Sequence, residues 1–205
     1  MHNNQKLYTY LALGDSYTIG EGLPLQNSFP YQFVQALRKK KHAFAAPEII
    51  AKTGWTTDEL AAAIEEYNFL NQYNLVSLLI GVNNQYRGRS IEEYKMQFEN
   101  LLITALGLAG GKSDHILVFS IPDYSITPFA KKMDREKISH QIELFNSVCR
   151  AVSVQYKVQY IDISTNSKTI KTKKISTVRD GVHPSEKEYK KWAAKAVKAV
   201  KHLLK

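Results

Sequence analysis

Short apolar runs alternate with longer amphipathic ones along this chain. Five runs read as strands: "LYTYLAL" (7–13), "PEIIAK" (47–52), "LVSLLI" (75–80), "HILVFSI" (115–121) and "VQYIDI" (158–163). Several are nearly all apolar, as strands covered on both faces should be. Helix patterns lie between and after them, each with a start signal. Ser28 opens "SFPYQFVQALRKKK" with Pro30 in the first turn. Thr56 with Glu59, Ser90 with Glu93, and Ser185 with Glu188 have capping-box spacing, and another helix starts near Asp134. In the last helix Tyr189, Trp192, Ala196, Val200 and Leu203 share one stripe, and most lysines face away.

Strand and helix alternate five times, which predicts an α/β fold in one domain, residues 1–205. It is a three-layer sandwich, with a five-stranded parallel sheet between helices. Sites in such sheets gather at the carboxyl ends of strands. There the chain places Gly14-Asp15-Ser16, Thr53-Gly54-Trp55, Gly81-Val82-Asn83-Asn84 and Pro122-Asp123-Tyr124. A polar loop ending in "RDGVHPSE" adds Asp180 and His183.

That inventory suits acyl transfer. A serine hydroxyl is a poor nucleophile until a neighbouring base takes its proton. Histidine is suited to that task, and a carboxylate fixes its tautomer. Ser16 is therefore the candidate nucleophile, His183 the base and Asp180 its partner. The backbone N–H groups of Ser16 and Gly54, with the side-chain amide of Asn83, are candidate oxyanion donors. Taken singly, each piece is ordinary turn or capping chemistry. The expectation rests on their conjunction at successive strand ends.

Composition narrows the picture. At 205 residues and 44% hydrophobic, the chain suits one soluble globular domain. Its single cysteine, Cys149, excludes an internal disulfide and reads as core packing within a helix. No run approaches the roughly 20 apolar residues of a membrane-spanning helix, so stable membrane insertion is not expected. No signal peptide is recognised at the N-terminus, which makes the cytoplasm the expected location. No metal-ligand spacing is evident, and no metal or cofactor is expected. Residues 168–205 carry 12 Lys/Arg against 3 Asp/Glu, whereas residues 1–167 carry 16 of each. The net charge of +9 is thus a C-terminal feature, read as a solvated helix face. Aromatics are not interleaved with these lysines, which argues against nucleic acid as a partner.

"ALGDSYTIGEG", "KTGWTT", "LLIGVNNQYRG" and "RDGVHPSEKEY" together resemble the four sequence blocks of the SGNH (GDSL-type) hydrolases. The resemblance implies a flavodoxin-like fold and metal-free hydrolysis of esters or thioesters. It implies the roles already given to Ser16, Gly54, Asn83, Asp180 and His183. Two positions depart from the family pattern. Tyr17 stands where leucine is common, and Asn84 stands where aspartate is common. The expected substrate is a small ester rather than an emulsion. The segments 84–90, 122–134 and 164–180 are candidate pocket walls. Tyr124, Ile126 and Phe129 would receive a short acyl chain, and Arg87 and Arg89 could meet an anionic leaving group. A carbohydrate deacetylase and a lysophospholipase share the mechanism. The non-enzymatic alternatives are a flavodoxin-like module binding a phosphate ligand and a basic binding protein.

Overall fold

The computed structural model describes residues 6–164 and 175–204. Five strands form one sheet: β1 (Tyr10–Asp15), β2 (Glu48–Lys52), β3 (Leu75–Leu79), β4 (Ile116–Phe119) and β5 (Gln159–Ile161). Every pairing is parallel, in the order β2-β1-β3-β4-β5. This is the doubly wound, flavodoxin-like order, whose direction reverses beside β1. The apolar runs explain the positions. β1, β3 and β4 are buried at every residue and lie in the centre. β2 and β5, with their polar residues, form the partly exposed edges.

The helices are α1 (Ser16–Ile19), α2 (Phe29–Lys39), α3 (Thr57–Glu65), α4 (Val82–Tyr86), α5 (Ile91–Leu108), α6 (Arg135–Gln155) and α7 (Glu186–Val200). α2 packs against α7, while α3 and α6 pack on α5, which gives the two outer layers. The stripe on α7 is buried as its spacing requires, through Tyr189, Trp192, Ala196 and Val200. Cys149 is fully buried on α6, 2.8 Å from the Tyr94 hydroxyl. Burial pushes its thiol up to about 12, so it stays protonated and packs as a small core residue.

Start signals differ in how they are used. Glu59 accepts the Thr56 N–H at 2.8 Å, completing the box at α3. Ser90 caps the Glu93 N–H at 3.1 Å, but the Glu93 carboxylate turns to Arg89 instead of returning to Ser90. Ser185 precedes α7 without a side-chain cap bond. Its own N–H already donates to the Ser176 carbonyl at 2.8 Å, so Glu188 is free to pair with Lys191.

The first strand also differs from expectation. Leu7 is exposed, and the ladder begins at Tyr10 and continues through Gly14 and Asp15. Gly14 is thus a strand residue rather than the start of a turn. A methyl group there would run into the Leu79 carbonyl of β3 and the Thr18 side chain of α1. The strand and the helix it feeds are that close only because the side chain is absent. Gly14→Ala is expected to lower unfolding stability by about 1–3 kcal/mol, as overpacking against backbone does. A urea titration measures this directly.

Candidate active site

β1 delivers its last residue, Asp15, fully buried, to the start of α1. The Asp15 carboxylate accepts the Tyr17 N–H at 2.9 Å and so caps that helix. Burial raises its pKa to about 7, against the pull of this backbone hydrogen bond. Ser16 follows as the first helical residue and is 4% exposed. Its hydroxyl oxygen lies 2.9 Å from His183 Nε2, across 167 positions of sequence.

His183 Nδ1 is 2.6 Å from Asp180 Oδ2. The other oxygen, Oδ1, accepts the backbone N–H groups of Val182 (2.8 Å) and His183 (3.0 Å). Burial alone would raise the pKa of Asp180. The hydrogen bonds from the His183 ring and the two backbone amides outweigh it and hold the carboxyl below the ordinary range. An ionised carboxylate only accepts, so in the neutral imidazole Nδ1 carries the hydrogen and Nε2 presents its lone pair to Ser16. Three residues from two distant segments thus form one chain, oriented to remove a proton from a hydroxyl.

Gly54 stands at φ +86°, and the Trp55 N–H closes the turn on the Lys52 carbonyl at 3.2 Å. With Thr53 at negative φ, this is a type II turn, whose third residue favours glycine. The Gly54 N–H meets no acceptor among the described residues. Asn83, on α4, donates its side-chain amide to the Trp55 carbonyl at 2.9 Å, with Asp15 Oδ2 at 3.4 Å. The segment that carries Asn83 and Asn84 is a short helix, Val82–Tyr86.

Ser16, Gly54, Asn83 and His183 share a cavity of about 160 Å³. Its remaining walls are largely apolar: Val82, Tyr86, Tyr124, Phe129 and Val182, with Tyr17 and Thr53. Tyr124 and Phe129 are where the sequence put them. Ile126 is buried away from the cavity, because Tyr124–Ile126 is a turn of 3-10 helix that sends successive side chains in different directions. Of the third candidate wall, residues 165–174 lie outside the described residues. Neither arginine is offered to a ligand. Arg87 donates to the Gly54 carbonyl and Glu59, and Arg89 pairs with Glu93 and Asp58.

The structure accounts for both family departures. The Tyr17 ring lies 5.1 Å from the His183 ring and 6.5 Å from Trp192, filling the space behind the imidazole. Asn84 Oδ1 accepts the Thr57 N–H at 3.1 Å, as a carboxylate would. Its Nδ2 donates to Thr57 Oγ1 at 2.6 Å, and that hydroxyl passes its own proton to Gln97. Asn84 and Gln97 therefore act together, a coupling across distant positions that composition does not display. Tyr17, Thr53, Val82 and Val182 are cavity residues to which sequence reasoning assigned no pocket role. Their only sequence signal is adjacency to Ser16, Gly54, Asn83 and His183.

No cluster of three or more His, Cys, Asp or Glu side chains suited to a metal ion occurs among the described residues. No helix among them is long and apolar enough to cross a membrane.

Residues 12–191 match the model of the GDSL-like lipase/acylhydrolase family. Solved structures share the fold. A lipase/acylhydrolase from Enterococcus faecalis aligns with TM-score 0.77 at 16% identity, covering 97% of each chain. The acetylxylan esterase Axe2 from Geobacillus stearothermophilus aligns with TM-score 0.73 at 18% identity, covering 94% of each chain. TesA aligns with TM-score 0.68 at 19% identity, covering 96% of this chain and 99% of its own. A search of curated proteins found no match. With its family blocks spread from the first strand to the last helix, this chain belongs to the GDSL-like lipase/acylhydrolase family and is a hydrolase acting on esters.

Proposed function

We propose that this chain, as one hydrolase domain, cleaves short-chain carboxylic esters through an acyl-enzyme on Ser16. The observation that carries the reading is the hydrogen-bonded chain from Ser16 Oγ through His183 to Asp180, opening into an apolar cavity. Ser16 Oγ attacks the acyl carbon as His183 Nε2 takes its proton. The carbonyl oxygen, now anionic, is held by the N–H groups of Ser16 and Gly54 and the amide of Asn83. The imidazolium then protonates the leaving alcohol as the C–O bond breaks. Water attacks the acyl-enzyme with the same histidine as base, releasing the acid and restoring Ser16. A thioester fits the same steps with a thiol leaving.

Cavity size favours a short acyl group. About 160 Å³ is close to the ~150 Å³ apolar cavity known to hold a benzene ring, so an acyl chain of roughly six carbons fills it. With p-nitrophenyl esters, kcat/KM is expected to peak between acetate and hexanoate. It should fall at least tenfold by palmitate, since a chain that cannot be buried gains no transition-state binding. A maximum at palmitate would contradict the reading, and so would failure of a fluorophosphonate probe to label Ser16.

A second reading, removal of acetyl groups from a sugar, is favoured by Tyr86 and Phe129. The two residues are 55% and 42% exposed and line the cavity, with ring centroids 6.4 Å apart. Exposed aromatic faces can cover the apolar face of a pyranose. Higher kcat/KM on acetylated xylose or glucosamine than on p-nitrophenyl acetate would select it.

A further inference from the structure

The turn that carries Gly54 is held from one side by a single short helix. Asn83 takes the Trp55 carbonyl at 2.9 Å. Asn84 takes the Thr57 N–H at 3.1 Å and donates to the Thr57 hydroxyl at 2.6 Å. Arg87, just past the end of α4, reaches Gly54 itself. Its Nη2 donates to the Gly54 carbonyl at 2.6 Å, and Nη1 lies 3.2 Å from Glu59 Oε1. The other oxygen of Glu59 accepts the Thr56 N–H. One guanidinium thus ties Gly54 to the carboxylate that caps the helix after its turn.

We propose that Arg87 is a positioning residue for the oxyanion site, holding the Gly54 turn at a fixed distance from the helix that carries Asn83. This rests on the reading of Gly54 and Asn83 as oxyanion donors. Arg87 is not part of the cavity wall, so it acts through Gly54 and not on the substrate. Its need follows from the glycine. The carbonyl that Arg87 holds belongs to the peptide after the donor N–H, so the bond anchors the Gly54 Cα and restrains rotation at a residue of φ +86° that has no side chain to pack. Donors serve catalysis only when held to within about 0.5 Å of the developing charge. Arginine suits the task because its planar fork meets two acceptors at once. The ammonium of lysine is a point charge with no such fork.

The test compares Arg87→Ala and Arg87→Lys with wild type and Ser16→Ala on p-nitrophenyl acetate, recording kcat, KM and melting temperature. Loss of a whole oxyanion donor costs about 10²–10³ in kcat, so a loosened one should cost about ten- to a hundredfold. Arg87→Ala is expected to lose that much in kcat with KM within about threefold of wild type, the pattern of an interaction made only in the transition state. Arg87→Lys should recover part of the loss. Wild-type kcat in Arg87→Ala would overturn the proposal. So would a loss confined to KM, which would mean direct substrate contact. If Arg87→Ala is too unstable to assay, Arg87→Lys decides: a reduced kcat at unchanged melting temperature supports positioning, and wild-type kcat refutes it. Ser16→Ala separates the two layers of argument. If it hydrolyses the ester like wild type, the functional reading fails, whatever Arg87 does.

Discussion

Ser16→Ala is expected to lower kcat on a short p-nitrophenyl ester by at least about 10³-fold, and by as much as about 10⁶-fold where binding and oxyanion donors alone remain. The size follows from what the substitution removes. Among the described residues, the hydroxyl is the only group in the cavity within 2.9 Å of the imidazole nitrogen that bears the lone pair. Without it, His183 has no oxygen to activate except water, which is not fixed in the line of attack. The fold should hardly notice. Ser16 is almost buried, its neighbour Asp15 caps the helix through a different atom, and alanine is the better helix former. Melting temperature within a few degrees of wild type, together with lost turnover, is the expected result. Turnover retained at the wild-type rate would show that the ester is cleaved elsewhere.

The sequence displays this fold at the level of elements because each central strand is a nearly unbroken apolar run. Burial on both faces leaves no room for alternation, and "LVSLLI" and "HILVFSI" are unmistakable for that reason. Ser16, His183 and Asp180 were legible for a related reason: a parallel sheet places every strand end on one rim, so distant loops meet there. What was not legible depends on pairs. The Ser185–Glu188 spacing suits a capping box, yet Ser176, nine residues upstream of Ser185, satisfies the same N–H. Arg87 and Arg89 read as groups that could meet an anionic leaving group because, Glu93 apart, their acceptors, the Gly54 carbonyl, Glu59 and Asp58, lie some thirty positions away. Asn84 departs from the family pattern only until Gln97 is seen to receive the hydroxyl proton that a carboxylate would have taken. Each miss is a polar group whose partner is chosen by the assembled sheet. Local spacing carries no record of that choice.

Asp180→Asn is the second large effect expected, a loss of about 10³–10⁴ in kcat with a small change in KM. The amide oxygen can still accept the Val182 and His183 backbone N–H groups, so the loop keeps its shape. The amide nitrogen, however, faces Nδ1 as a donor. The imidazole must then place its hydrogen on Nε2, where it meets Ser16 with no lone pair. The Asp180 side chain is 37% exposed, so water can stand in for part of the lost carboxylate, which points to the lower end of that range. The pH dependence of stability distinguishes this account from loop damage. The native pKa of Asp180 is held below its unfolded value, so the unfolded chain binds the proton first. The contribution is complete above the unfolded carboxylate pKa, about 3.9, and is lost as pH falls through the lower native value. The gap in melting temperature between wild type and Asp180→Asn should therefore be flat from pH 8 to about 5 and close in stronger acid. A gap that persists unchanged at pH 3 would mean that the substitution had damaged the loop, and that the carboxylate was not what held His183.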